Sequence, residues 1–88
     1  MPAWEVKTTD SFAQVLKKHE KNKELLSELD KKIKRLQENP ENIGGYLAGN
    51  LHGHKSTRLV KNFRLIFSID EENKAVYLEA LDHRKDIY

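Results

Sequence analysis

Residues 54–82 read HKSTRLVKNFRLIFSIDEENKAVYLEALD, and this stretch determines the fold. It contains three segments rich in β-branched and aromatic residues, which predict strands over His54–Val60, Phe63–Ile69 and Ala75–Asp82. Lys61-Asn62 predicts a tight hairpin turn, because Asn tolerates the left-handed backbone conformation, and residues 70–74 predict a longer polar loop. The C-terminal half is therefore expected to form an antiparallel three-stranded meander.

The N-terminal half predicts one strand and two helices. Alternation of apolar and polar residues over 4–9 indicates a short first strand, and Thr9-Asp10-Ser11 offers N-cap oxygens for a helix over 10–21. A stripe at helical spacing predicts a second helix that ends at Asn39-Pro40; its members are Leu25, Leu26, Leu29, Ile33 and Leu36. Residues 41–53 carry all four glycines and predict a loop.

The element order is therefore β-α-α-β-β-β, which predicts a single α+β domain over residues 1–88. Both N-terminal helices are expected to pack on one face of an antiparallel sheet, leaving the other face open. A chain of 88 residues buries only about 60–65% of its unfolded surface, so the core should be thin.

Composition excludes several classes of function. The chain has no cysteine, which removes disulfides, thiolate metal sites and cysteine nucleophiles. No apolar run approaches the length of a membrane span, and residues 1–5 lack the features of a signal peptide, so a cytoplasmic protein without membrane contact is expected. His52 and His54 flank Gly53 without a nearby third ligand, so neither a metal site nor a cofactor is predicted.

Positive charge is concentrated in one segment. The net charge is only +2, yet no Asp or Glu occurs from Ile43 to Ile69, and that segment holds Lys55, Arg58, Lys61 and Arg64. Such a segment is typical of a phosphate-binding surface. The alternative is a solvated basic hairpin without a ligand.

Arginine pairs suit phosphate chemistry, because the guanidinium is a planar fork of donors that stays charged. RNA carries its own nucleophile, the 2′-hydroxyl, so arginines and a proton-transfer group can suffice without metal. Arg58 and Arg64 fall on one sheet face if the hairpin loop has three residues, Val60–Asn62, or if a bulge has the same effect, since side chains alternate with period two. This function therefore predicts the three-residue loop; in the alternative, both arginines are ordinary surface residues and the tail is a frayed terminus.

The segment STRLVKNFRLIF over 56–67 resembles the hairpin of RelE/YoeB-type toxins, within the RelE/ParE superfamily. The family pattern is an Arg, a short turn, an aromatic residue or His, an Arg and three apolar residues. Residues 47–53, LAGNLHG, are similar to the family's Leu…Asn-Leu-x-Gly approach, and His83-Arg84-x-x-x-Tyr88 is similar to its basic endings. The resemblance covers essentially the whole chain.

The resemblance implies the toxin of a type II toxin–antitoxin system, a metal-independent endoribonuclease that cuts mRNA on the ribosome and inhibits translation. It also implies an acidic antitoxin partner and contact with ribosomal RNA, with the toxin either monomeric or in a hetero-oligomer. The catalytic residues carried over by position are Arg64 at the scissile phosphate, His83 as general acid or base, Arg84 and Tyr88. The RNA-binding residues are Lys55, Arg58 and Lys61.

Two departures from the family pattern matter. Gly45 falls where YoeB-type toxins have a glutamate base, and Lys55 and Thr57 stand where RelE has paired lysines. The first alternative function is that of a ParE-like toxin, which shares the fold but binds and inhibits DNA gyrase without nuclease activity. The second is an inactive structural partner of an antitoxin.

Overall fold

A computed structural model describes residues 3–46, 53–60 and 62–83, with the side chain of His83 outside that description. Its elements in chain order are β1 (Glu5–Thr8), α1 (Asp10–Lys18), α2 (Lys23–Glu38), a 3-10 turn (Pro40–Asn42), β2 (Gly45–Tyr46), β3 (His54–Arg58), β4 (Phe63–Asp70) and β5 (Ala75–His83). The predicted α+β class is confirmed. Helix α1 ends before residue 21 because Asn22 caps α2, its Oδ1 accepting from the Leu25 N–H at 3.1 Å.

The sheet is mixed, in the order β1-β5-β4-β3-β2. The β3–β4–β5 meander is antiparallel as predicted, but β1 runs parallel to β5, with Val6 opposite Val76. The prediction of a purely antiparallel sheet is wrong at this edge. Alternation within a segment shows which residues share a face, but it carries no information on the direction of the partner strand.

A short strand, β2, forms inside the segment predicted as a loop, with Gly45 opposite Ser56 of β3. Gly44 makes this approach possible. Its φ is +67°, and a Cβ at this position would overlap the Ser56 carbonyl oxygen. Only glycine fits such a position without displacing β3.

Hydrogen bonds at the helix ends hold the helices against the sheet. The Thr9 Oγ1 accepts from the Phe12 N–H at 3.2 Å, as the predicted N-cap, and also donates to the Leu78 carbonyl at 2.9 Å. One side chain therefore starts α1 and ties it to β5. The Trp4 N–H donates to the Gln37 carbonyl at 3.0 Å, which joins the start of β1 to the end of α2.

The core lies between the helices and one face of the sheet. Its fully buried members include Phe12, Leu25 and Leu36 from the helices and Leu65, Phe67, Val76 and Leu78 from the strands. Along β4, buried Phe63, Leu65 and Phe67 alternate with half-buried Arg64, Ile66 and Ser68. The face that carries Arg64, Ile66 and Ser68 is called the open face below.

The β4–β5 hairpin combines a polar turn with a β-bulge. In the turn, Asp70 accepts from the side-chain and backbone N–H groups of Asn73, and these bonds lower the pKa of the Asp70 carboxyl. In the strands, Ile66 is opposite Ala80 but Phe67 is opposite Leu78, so Glu79 is the extra residue. The bulge shifts the alternation of β5 by one residue beyond this point.

Candidate active site

The hairpin between β3 and β4 places two arginines directly opposite each other. The Leu59 N–H donates to the Phe63 carbonyl at 2.9 Å, and the Phe63 N–H donates to the Val60 carbonyl at 3.1 Å. The loop therefore has three residues, and Arg58 pairs with Arg64 in the register. The predicted register with both arginines on one face is confirmed. The Phe63–Val60 bond closes a tight turn around residues 61–62, as predicted, but the hairpin loop is one residue longer than Lys61-Asn62 alone. Adding Val60 to the loop is what brings the arginines to one face.

Both arginines belong to the open face. Arg58 is exposed and Arg64 is half-buried, whereas Thr57 and Leu65 beside them are buried toward the helices. Like charges directly opposite each other on adjacent strands destabilise a sheet. An anion between the two guanidinium groups would reverse that effect, since each group presents donors to oxygens. The pair thus has the character of an oxyanion site.

Asp82 lies on β5 directly opposite Arg64, so Arg58, Arg64 and Asp82 are neighbours across three adjacent strands. Reasoning from sequence did not select Asp82. Its position depends on the bulge at Glu79, since regular alternation from buried Leu78 would place residue 82 on the core side. Only an irregularity in the strand pairing reveals that Arg58, Arg64 and Asp82 share a face.

Four predicted site residues fall wholly or partly outside the description. The backbone of His83 pairs with Phe63, one position beyond the Arg64–Asp82 pair. Its side chain and the whole of Lys61, Arg84 and Tyr88 lie outside the described residues. Their roles remain predictions from the family resemblance.

Lys55 is not the exposed RNA contact that was predicted. Its residue is only 2% exposed, and its Nζ donates to the carbonyls of Glu41 at 2.7 Å and Pro40 at 3.4 Å. The same Nζ lies 4.9 Å from the centroid of the Tyr46 ring. The ammonium is thus engaged with the segment that leads into β2, and Lys55 fastens that segment to β3 instead of meeting a phosphate.

A second polar cluster lies on the open face, and sequence reasoning did not identify it. The Ser68 Oγ donates to Glu79 Oε2 at 2.8 Å, and His54 Nε2 lies 3.7 Å from the same oxygen. These residues are far apart in sequence, so only strand pairing brings them together. His54 had been considered as a metal ligand. Within the described part of the chain, no three His, Asp or Glu side chains are close enough together to hold a metal ion.

Comparison with known proteins places the chain in a family. The model of the ParE toxins of type II toxin–antitoxin systems matches residues 6–88. The chain belongs to the RelE/ParE family of type II toxins. No helix within the described ranges of this toxin is long and apolar enough to cross a membrane.

Relatives and solved structures agree with this assignment. The toxin is 34% identical over 79 residues to a Methanocaldococcus jannaschii protein named toxin RelE4, covering 90% of this chain and 81% of that protein. The RelBE2 toxin–antitoxin complex of Mycobacterium tuberculosis contains a chain with a TM-score of 0.78 and 27% identity, covering 96% of this chain and 100% of that one. The YoeB–YefM complex of Staphylococcus aureus gives a TM-score of 0.75 at 20% identity, covering 93% and 98%, which supports the fold alone.

Proposed function

We propose that this toxin is a ribosome-dependent mRNA endonuclease that needs no metal ion. The observation that carries the proposal is the direct pairing of Arg58 with Arg64 on the open face. Two arginines held opposite each other repel in the free sheet, and a phosphate between them would replace that repulsion by attraction to both. Arg64, the less exposed of the two, would contact the scissile phosphate, and Arg58 would hold the same or the next one.

The reaction proposed is attack of the ribose 2′-oxygen on the adjacent phosphorus. The new P–O2′ bond forms as the P–O5′ bond breaks, leaving a 2′,3′-cyclic phosphate and a free 5′-hydroxyl. The 2′-hydroxyl loses its proton to a base, and the leaving 5′-oxygen takes one from an acid. His83 is assigned to one of these transfers, Arg84 to charge stabilisation with Arg64, and Tyr88 to proton donation or base stacking.

An acidic antitoxin protein is the proposed cytoplasmic partner. The RelBE2 structure is a toxin–antitoxin complex, and the YoeB structure likewise contains a partner protein, YefM. Basic side chains on the open face would attract acidic segments of such a partner, which would then compete with RNA for the same surface.

Mapping of mRNA cleavage on translating ribosomes tests the proposal. Purified toxin should produce cuts inside ribosome-bound codons, with 2′,3′-cyclic phosphate ends, and Arg64→Ala should abolish them. Lys31→Ala is a suitable control, since Lys31 is 71% exposed on α2 and, among the described residues, pairs only with Glu28. Intact mRNA after incubation with folded wild-type protein, on every ribosome tested, would contradict the nuclease assignment.

A second candidate is inhibition of DNA gyrase, favoured by one observation: the family model that matches the chain is that of ParE toxins. In this case the open face would bind a protein surface, and mRNA would stay intact. A supercoiling assay with purified gyrase separates the two. Inhibition of gyrase at concentrations that leave ribosome-bound mRNA uncut would select this function.

A further inference from the structure

The carboxylate of Glu79 lies on the same face as the arginine pair but at a distance from it. Ser68 and Arg64 are four residues apart on β4, or about 13 Å along the strand. Glu79 is bonded to Ser68, which holds its carboxylate toward that end of β4 and away from Arg64. The cluster of His54, Ser68 and Glu79 is therefore separate from the position proposed for the scissile phosphate.

The bulge in β5 is the reason that this carboxylate faces outward together with Asp82. Glu79 and Ala80 both stand against Ile66, after which the alternation resumes with Leu81 packed on the core. Bulges redirect side chains and are frequent beside active sites. Without the bulge, β5 would present either Glu79 or Asp82 to the open face, but not both.

The Glu79 carboxylate is oriented and still able to accept hydrogen bonds. Ser68 and His54 both approach Oε2, while no described residue bonds Oε1, and the side chain is 32% exposed. The His54 Nδ1 is buried and has no hydrogen-bond partner among the described residues. A buried nitrogen without a partner costs stability.

We infer that Glu79 reads a nucleobase of the bound RNA, accepting hydrogen bonds from a base that carries an amino group, with guanine the best match. This inference rests on the proposed nuclease function. Guanine offers its N1–H and its amino group side by side, which suits a carboxylate, whereas uracil has no amino group. Tyr77 is opposite Ser68 in the register and supplies a half-exposed ring for stacking. Since the arginine pair holds a phosphate further along the strand, the base would belong to a neighbouring nucleotide.

Cleavage mapping with base-varied mRNAs tests this assignment. Each of the four bases is placed in turn at each position around the ribosome-bound codon, and cut frequencies are compared for the wild type and Glu79→Gln. The wild type should prefer guanine over uracil at one position by about tenfold or more, and Glu79→Gln should lose that preference while still cutting. Glu71→Gln, an exposed carboxylate in the β4–β5 turn, is the matched control and should keep it. Thermal unfolding verifies that Glu79→Gln is folded.

The outcomes distinguish failure of base reading by Glu79 from failure of the proposed nuclease function. Cleavage with the same base preference in the wild type and Glu79→Gln would overturn the reading of bases by Glu79. It would not contradict the proposed nuclease function. Weaker antitoxin binding by Glu79→Gln with unchanged base preference would also overturn the reading of bases by Glu79. In that case the Glu79 carboxylate would bind a basic side chain of the antitoxin. Absence of any cleavage by the wild type would overturn the nuclease function and this inference with it.

Discussion

Replacing Arg64 by alanine should remove catalysis and leave the fold intact. Arg64 is half-buried on the open face, between Arg58 on β3 and Asp82 on β5. If its guanidinium stabilises the transition state, the loss should equal that of one oxyanion donor, about 2.7–4 kcal/mol or roughly 100- to 1000-fold in the cleavage rate.

The expected effect on stability follows from the same register. Repulsion from Arg58 contributes about 0.2–1 kcal/mol against the folded state, and attraction to Asp82 contributes a similar amount in its favour. The two nearly offset, so the free energy of unfolding of Arg64→Ala should stay within about 1 kcal/mol of the wild type. In a domain of this size that corresponds to a shift in Tm of at most roughly 4–8 °C.

A double-mutant cycle with Arg58→Ala measures whether the two arginines act on one phosphate. Single-turnover cleavage on saturating ribosomes gives the rates, and urea unfolding gives the stabilities. Residues that share a ligand are non-additive, so the double variant should lose less than the sum of the two single losses, by at least about 0.5 kcal/mol. Full additivity would refute the shared site. An Arg64→Ala protein that unfolds, or one that cuts at the wild-type rate, would refute the catalytic role of Arg64.

Three further predictions concern Lys55, Gly44 and the requirement for metal. Lys55→Met should lower the free energy of unfolding by about 1–3 kcal/mol, because two carbonyls lose a charged donor. The control Lys31→Met should change it by less than about 0.5 kcal/mol. Equal effects of the two substitutions in urea unfolding would contradict the structural role of Lys55. Gly44→Ala should destabilise by about 2 kcal/mol or more through its positive φ and its overlap with Ser56, while Gly45→Ala, whose added Cβ meets nothing within 4 Å, should cost about 1 kcal/mol or less. Cleavage should persist in excess EDTA on ribosomes stabilised by polyamines, and a strict requirement for added Mg²⁺ or Mn²⁺ in single-turnover chemistry would contradict the metal-independent mechanism.

The elements that could be predicted from sequence are those set by local chemistry. The Thr9 cap, the apolar stripe of α2 and the alternating strand over residues 63–69 each act within a few residues, so their patterns suffice. The parallel pairing of β1 with β5 and the short strand β2 depend on contacts between distant segments. Gly44 and Gly45 indicate a loop in isolation, and only the approach of Ser56 turns Gly45 into part of a strand.

The alternation of side chains along a strand, called strand parity here, explains why the shared face of Arg58 and Arg64 could be predicted. It also explains why the prediction for Lys55 failed. It gave the condition under which Arg58 and Arg64 share a face, and the structure meets that condition. The same rule places Lys55 on the face of Thr57 and Leu59, and Leu59 is an evident core residue. The charge of Lys55 predicts an RNA contact, whereas its face predicts burial. A basic residue of this hairpin can therefore reach the proposed phosphate position only if its side chain lies on the same face as Arg58 and Arg64. Lys55 lies on the opposite face, where its ammonium donates to backbone carbonyls.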